Sequence, residues 1–387
     1  APLLSRLARL WPSAKLLLLI FSLAPVWGFP GSAHAFPELA VRHSYPNCVA
    51  CHVSPTGGGV LNEYGRELSS EVLSYAGYEG EGRFVYEAFK QPDWLLAGGD
   101  LRVLGLHRSG PPVDDRLILM QADLEAAIKF PGDRYVLVGT AGIRDSEVVP
   151  PGESAFISRR HYMIVKINPL TALRFGRFYP AFGLNVAEHT ISTRRGLEWD
   201  QGAESYNTEL SFLGETTNFY LTGTVGRLGL ERDQREAGVA AMGSYFFGGH
   251  YKVGLSYFFG DTSERRRHVV GPWIAAAFSE KLVLLGEIDF QRTHANSFLE
   301  ARWGFVDYLR LDWELVKGAH LFVAQERTKL NFSSPTSRRD TYWVGVQLFP
   351  RAHFETQFVW QTTRLPASGG GDDTVSDGAF ALLHFYP

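Results

Sequence analysis

From Trp94 onward the side chains alternate with a period of two, apolar against polar, over nearly all of the remaining chain. Such a chain must become sheet, and a sheet this long must dispose of its edges. In 120–130, Met120, Ala122, Leu124, Ala126, Ile128 and Phe130 form an apolar set against Gln121, Asp123, Glu125, Ala127 and Lys129. In 282–291, Leu284, Gly286, Ile288 and Phe290 alternate with Glu287, Asp289 and Gln291. In 299–315, Leu299, Ala301, Trp303, Phe305, Leu309, Leu311, Trp313 and Leu315 oppose Glu300, Arg302, Tyr308, Arg310, Asp312 and Glu314, and Asp307 breaks the pattern.

Tight turns separate many of these runs: Pro131-Gly132-Asp133, Asn168-Pro169, Gly248-Gly249, Ser279-Glu280, Lys317-Gly318 and Pro350-Arg351. Longer polar connections separate the rest, at 145–153, 181–203, 228–236, 261–267, 330–339 and 365–375. Short turns alternating with long loops are the pattern of an outer-membrane antiparallel β-barrel, and the runs number about 16. Composition agrees. A mean hydropathy of −0.10 is too polar for a helical membrane protein, whereas a barrel averages a polar lumen with an apolar lipid face. Aromatics gather near run ends (Phe175, Phe178, Tyr179; Tyr257, Phe258, Phe259; Phe385, Tyr386), as interfacial girdles do. A propeller needs an internal repeat that is missing, and a sandwich this long needs linkers that are missing. The expected class is all-β, with outer-membrane lipid as its surroundings. A net charge of −3 gives no ground for a nucleic-acid partner.

The first 35 residues read as a secretory signal. Arg6, Arg9 and Lys15 precede an apolar run from Leu16 to Phe29, and Ala33-His34-Ala35 offers a small-x-small cleavage site. The run is about 14 residues, short of the ~20 that a spanning helix needs. The division expected is 1–35 signal, 36–90 a small segment of loops and helices, and 91–387 barrel, in the outer membrane of a Gram-negative bacterium.

Residues 36–90 hold the only two cysteines, in Cys48-Val49-Ala50-Cys51-His52. C-x-x-C-H is the attachment motif of c-type haem, with two thioethers to the porphyrin and the histidine on the iron. A closed zinc site would want four ligands, and no second cysteine pair exists. One covalent haem c is therefore expected, held by Cys48, Cys51 and His52. His43, the other histidine of this segment, is the first candidate for the distal ligand, because Met120, Met163 and Met242 all fall in the strand region. An iron left open, or bound by His107, His161, His189, His268 or His320, is the alternative, and parity sets His107 and His161 on the outward face. Arg66 is a candidate partner for a haem carboxylate, since guanidinium matches carboxylate geometry. An ordinary helix arginine is the other reading. Asn62 to Ser74 carries a helical pattern, and Gly57-Gly58-Gly59 is either a close approach to the porphyrin or a flexible loop.

At these residues the chain resembles the outer-membrane fused cytochrome-porins, in which an N-terminal C-x-x-C-H precedes a barrel. Ala35, Pro37 and Ala40, then Cys48 to His52, then Tyr64-Gly65-Arg66 match that group's haem region. Ser54 to Gly59 and Asn62-Glu63 depart from its iron-oxidising members. The resemblance implies electron transfer between the extracellular side, with Fe(II) or a mineral as a possible donor, and a periplasmic c-type cytochrome or other carrier. The haem segment would lie on the periplasmic side or within the barrel. The expected activity is that of an electron carrier or Fe(II) oxidase rather than a conventional enzyme. Two alternatives stand beside it: a diffusion porin whose haem segment is a plug or sensor, and an open-haem enzyme such as a peroxidase.

Overall fold

The computed structural model describes residues 36–387 apart from 79–80, 110–113, 144–153, 189, 201, 298–299 and 368–371. The signal segment, the 145–153 connection and His189 lie outside the described residues. Strand β1 (Leu95–Arg108) pairs with both β2 (Asp114–Lys129) and β17 (Thr374–Phe385), which closes a single antiparallel sheet into a barrel. Of its 17 strands, the two-residue β4 (Phe156–Ile157) and β5 (His161–Asn168) both pair with β3 (Tyr135–Ile143). They form one interrupted stave, so the barrel has sixteen. Closure leaves no unpaired edge in the membrane, where water cannot satisfy backbone groups.

The barrel is apolar outside and polar inside. On β2, Gln121, Asp123 and Glu125 are buried while Leu124 between them is 57% exposed. On β13 (Arg302–Val316), Trp303, Leu309, Leu311 and Trp313 face out, and Tyr308, Arg310 and Asp312 are buried. Asp307 does lie on the outward face, toward the long-loop end, where it accepts a hydrogen bond from Gln325 (2.8 Å). All six tight turns fall at one end of the barrel. A seventh, at Gly214, is there too, its N–H donating to the Thr217 carbonyl (2.9 Å). The 261–267 connection is shorter than its sequence suggests, because β10 (Tyr251–Asp261) and β11 (Arg265–Ala277) extend into it.

Residues 36–90 fill the short-turn end of the lumen. Helix α1 (Pro37–Arg42) begins on a proline whose fixed φ suits a first helical position. Helix α2 (Glu63–Leu68) is capped by Asn62, whose side chain accepts from the Gly65 N–H (2.8 Å), so the helical pattern of 62–74 starts where its sequence places it. The short turns clamp the segment. The Phe349 carbonyl accepts from Tyr75 N–H (2.8 Å), the Ala352 carbonyl from the Tyr86 hydroxyl (2.8 Å), and His353 N–H donates to Ser69 Oγ (3.0 Å).

Into the opposite end reach residues that sequence alone assigns to an outer loop. The 181–203 connection folds inward, burying Phe182, Leu184, Ile191 and Leu197. Gly183 N–H donates to Ser256 Oγ (2.9 Å) and Leu184 N–H to Glu287 (2.9 Å). Helix α3 (Ser192–Arg195) sits there, its first N–H donating to Glu326 (2.6 Å). Loop and segment meet where Asn185 Nδ2 donates to the Thr56 carbonyl (2.9 Å).

Candidate functional site

Cys48–Ala50 forms one turn of 3₁₀ helix, and the N–H groups of Cys51 (3.2 Å) and His52 (3.0 Å) both donate to the Cys48 carbonyl. That tight wrap turns both sulfurs and the imidazole toward one recess. Helix α2 backs it. Asn62 Nδ2 donates to the Val49 and Ala50 carbonyls (3.0 Å each), and Gly65 lies so close to Cys51 that a Cβ there would sit 2.9 Å from its Cα and carbonyl carbon. The Gly of Tyr64-Gly65-Arg66 is thus a packing requirement. Gly57, Gly58 and Gly59 all have left-handed φ (78°, 70°, 67°), which marks a defined turn rather than a flexible run.

The recess encloses about 1090 Å³ including its open mouth. Its walls are Leu39 and Val41 of α1, Leu61 and Leu68 of the segment, and Tyr220, Met242, Trp273 and Ala275 of the barrel. Burial pushes the His52 imidazole down to about 4, against a weaker opposing pull from the Gly59 backbone. It is therefore a neutral donor at physiological pH. Burial also pushes the thiols up, Cys51 to about 11, and the two are not joined in a disulfide. His52 Nδ1 and Trp273 Nε1 are buried without a hydrogen-bond partner among the described residues. Lys252, whose ammonium donates to the Pro46 carbonyl (2.9 Å), adds a cation to the same wall.

The other sequence candidates lie elsewhere. His43 caps the C-terminus of α1, exposed, and does not line the recess. Arg66 is buried at the seam between the segment and β1, donating to the Ala97 carbonyl and lying 5.6 Å above the Phe84 ring. Its Nε and Nη1 have no partner there, and burial lowers it to about 10. His107 pairs with Asp115, His161 bonds Ser158 and Tyr206, His268 bonds Tyr257, and His320 bonds Asp312. The inward acids are largely taken up by arginines: Asp123 by Arg159 (2.9 Å), Glu125 by Arg160, and Asp312 by Arg42 (3.0 Å) and Arg310 (2.8 Å). Strand alternation reveals that Met242, Trp273 and Lys252 face inward, but only the docked segment reveals what they face.

No protein-family profile and no curated protein matches the chain. Solved structures do. An outer-membrane-expressed OmpT of Vibrio cholerae is similar at a TM-score of 0.58 and 9% identity, over 77% of this chain and 99% of that one. An anion-selective porin from Comamonas acidovorans gives 0.59 and 8%, over 76% and 99%. The outer-membrane channel DcaP of Acinetobacter baumannii gives 0.53 and 10%, over 77% and 99%. At these identities the likeness is one of fold, and with the closed sixteen-stave sheet it establishes the chain as an outer-membrane β-barrel.

Proposed function

We propose that the chain carries one covalent haem c in this recess and passes electrons between the extracellular side and periplasmic carriers. The observation that carries the reading is that Cys48, Cys51 and His52 converge on one apolar cavity inside a membrane barrel. Cys48 and Cys51 would supply the thioethers and His52 the proximal nitrogen. Lys252 would be the donor for a carboxylate on this wall, in the role the sequence suggests for Arg66. Leu39, Val41 and Leu184 keep water out. Bound there, haem supplies a one-electron iron couple whose potential the axial ligands and burial tune. Short turns face the periplasm in single-chain bacterial barrels, which supports a periplasmic side for residues 36–90. A hydrocarbon core of ~30 Å leaves room for further carriers at either face.

The likeness to porins favours a second reading, a diffusion channel with a haem-bearing plug. A sixteen-stave barrel leaves an aqueous lumen unless it is filled. Residues 36–90 and 181–203 enter it from both ends and touch at Asn185 and Thr56, which narrows the path for solutes and supports the electron-transfer reading. An optical spectrum of the purified protein in detergent, before and after ferrous iron, tests the first reading. Covalent low-spin haem that reduces promptly supports it with iron as donor. Covalent haem that ignores iron but exchanges electrons with a soluble c-type cytochrome keeps the carrier and discards that donor. Absence of covalent haem, with solute conductance in planar bilayers, moves the conclusion to the porin.

A further inference from the structure

We propose that Met242 supplies the sixth ligand to the iron, from the barrel wall rather than from the haem segment. The inference rests on the haem reading above and deepens it. Met242 lies on the inward face of β9 (Ala237–Phe247), buried, and lines the recess with Cys48, Cys51 and His52. Its cross-strand neighbours are Tyr220 on β8 (Thr217–Gly226) and Ser256 on β10. Around it the inward wall is shallow, formed by Ala240, Ser244, Ser256 and Gly254. Met242 therefore brings a long, flexible thioether to a wall where its large neighbours are the aromatics Tyr220, Phe246 and Trp273.

The wall is also tied to the motif. The Tyr220 hydroxyl donates to the Pro55 carbonyl (2.9 Å), three residues past His52. That bond fixes the loop of the proximal ligand against the strand next to Met242.

Competing ligands on the same lining are committed or unsuited. Lys252 gives its ammonium to Pro46, Tyr220 its hydroxyl to Pro55, and Tyr45 shares a hydrogen bond with Tyr64 (2.7 Å). Burial holds the Tyr386 phenol firmly un-ionised, which makes it a poor iron ligand. Among the described residues, His52 is the one histidine that lines the recess. Met120 and Met163 sit at outward positions of β2 and β5, alternating with buried Gln121 and with buried Tyr162 and Ile164.

The test uses the full-length haem-loaded protein in detergent. Covalent haem on a denaturing gel comes first, because its absence ends the underlying haem reading and the ligand proposal with it. Given covalent haem, the ferric protein should show the weak long-wavelength sulfur-to-iron charge-transfer band. The reduced protein should show one methionine methyl resonance shifted far upfield by the ring current. Met242→Ala should lose both and become high-spin or bind added imidazole, while Met120→Ala and Met163→Ala keep both. Should Met242→Ala fail to fold, Met242→His replaces it: low-spin haem without the sulfur band, at a lower potential, is expected, since methionine ligation raises the potential. A wild-type protein with covalent haem but neither methionine signature overturns the assignment, as does a variant at 242 that retains them.

Discussion

Gly65→Ala sets two effects of known size against each other. Position 65 lies inside α2, where alanine is favoured over glycine by about 0.8–1.0 kcal/mol. Its φ is ordinary, so the backbone raises no objection. The objection is steric: a Cβ at 65 would stand 2.9 Å from two backbone carbons of Cys51 and closer still to its carbonyl oxygen. Optimal carbon contacts are ~3.5–4.0 Å, so helix and motif must separate by about 1 Å. The obstacle is main chain, which cannot rotate aside. Overpacking typically costs about 1–3 kcal/mol, and a backbone obstacle belongs at the upper end. The balance is a loss of about 2 kcal/mol in docking of residues 36–90, or about a 30-fold rise in its undocked population. Protease cleavage within 36–90, measured on the detergent-solubilised barrel, tracks that population when closing is faster than cutting. Gly139→Ala is the control, because nothing lies within 4 Å of a Cβ there. The yield of covalent haem should fall in parallel at position 65 and hold at 139. A Gly65→Ala protein as resistant as its parent would mean that helix propensity wins and that Gly65 does not seat Cys51.

Arg42→Ala removes one buried partner of Asp312 (3.0 Å) while Arg310 and His320 keep the carboxylate paired, and should cost about 1.5–3 kcal/mol of docking, raising conductance in planar bilayers above the parent's. In a haem-free Cys48→Ser/Cys51→Ser protein, docking should vary little between about pH 4.5 and 6.5, because two titrations cancel. His52 falls from 6.5 to about 4 on folding, so its contribution is lost as pH drops through that range. Glu38, raised from 4.5 to about 7 by burial against the pull of Arg310, contributes below 4.5 and is lost as pH rises through 7. Glu38→Gln should unmask the histidine, with docking by proteolysis weakening by about 3 kcal/mol from pH 6.5 to 4; a flat profile in that variant would refute the His52 environment. Leu124→Arg, on the lipid face, should cost about 2–4 kcal/mol in refolding into vesicles.

The barrel is legible in the chain because each inward position is polar and each outward one apolar, so parity alone sorts Asp123 from Leu124. What parity misses is the content of the lumen. The 181–203 connection reads as a polar outer loop, yet Phe182, Leu184, Ile191 and Leu197 are buried inside; those apolar residues in a polar stretch were the available signal. The C-x-x-C-H brings its three side chains together locally, and that much can be seen in sequence. Met242 lies nearly two hundred residues away and joins them only when the segment docks, so no local pattern carries it. His43 is near in sequence, but α1 points its C-terminus away from the recess.

The lumen is packed with ion pairs, and their energetics say what they do. Arg174 spans Ser54 (2.8 Å), Thr56 (3.2 Å) and Glu209 (2.7 Å), while Arg310 joins Asp312 (2.8 Å) to Glu188 (2.6 Å). Desolvation offsets most of the attraction in such pairs, so apolar packing of the same volume would stabilise the protein as well or better. Apolar packing, however, tolerates sliding. Moving the segment by one residue would strand Arg42 against a wrong partner and leave Ser54 short of Arg174, at about 3–5 kcal/mol for each buried charge left unpaired. The pairs therefore set position more than stability. Arg174 grips residues 54 and 56, and Tyr220 grips 55, just after the proposed ligand His52 and directly beside Met242. Replacing Arg174 and Glu209 together by leucine should leave the barrel as stable as before. It should nevertheless broaden the haem spectrum into a mixture of spin states, because the wall would still be there but no longer held in register with the motif.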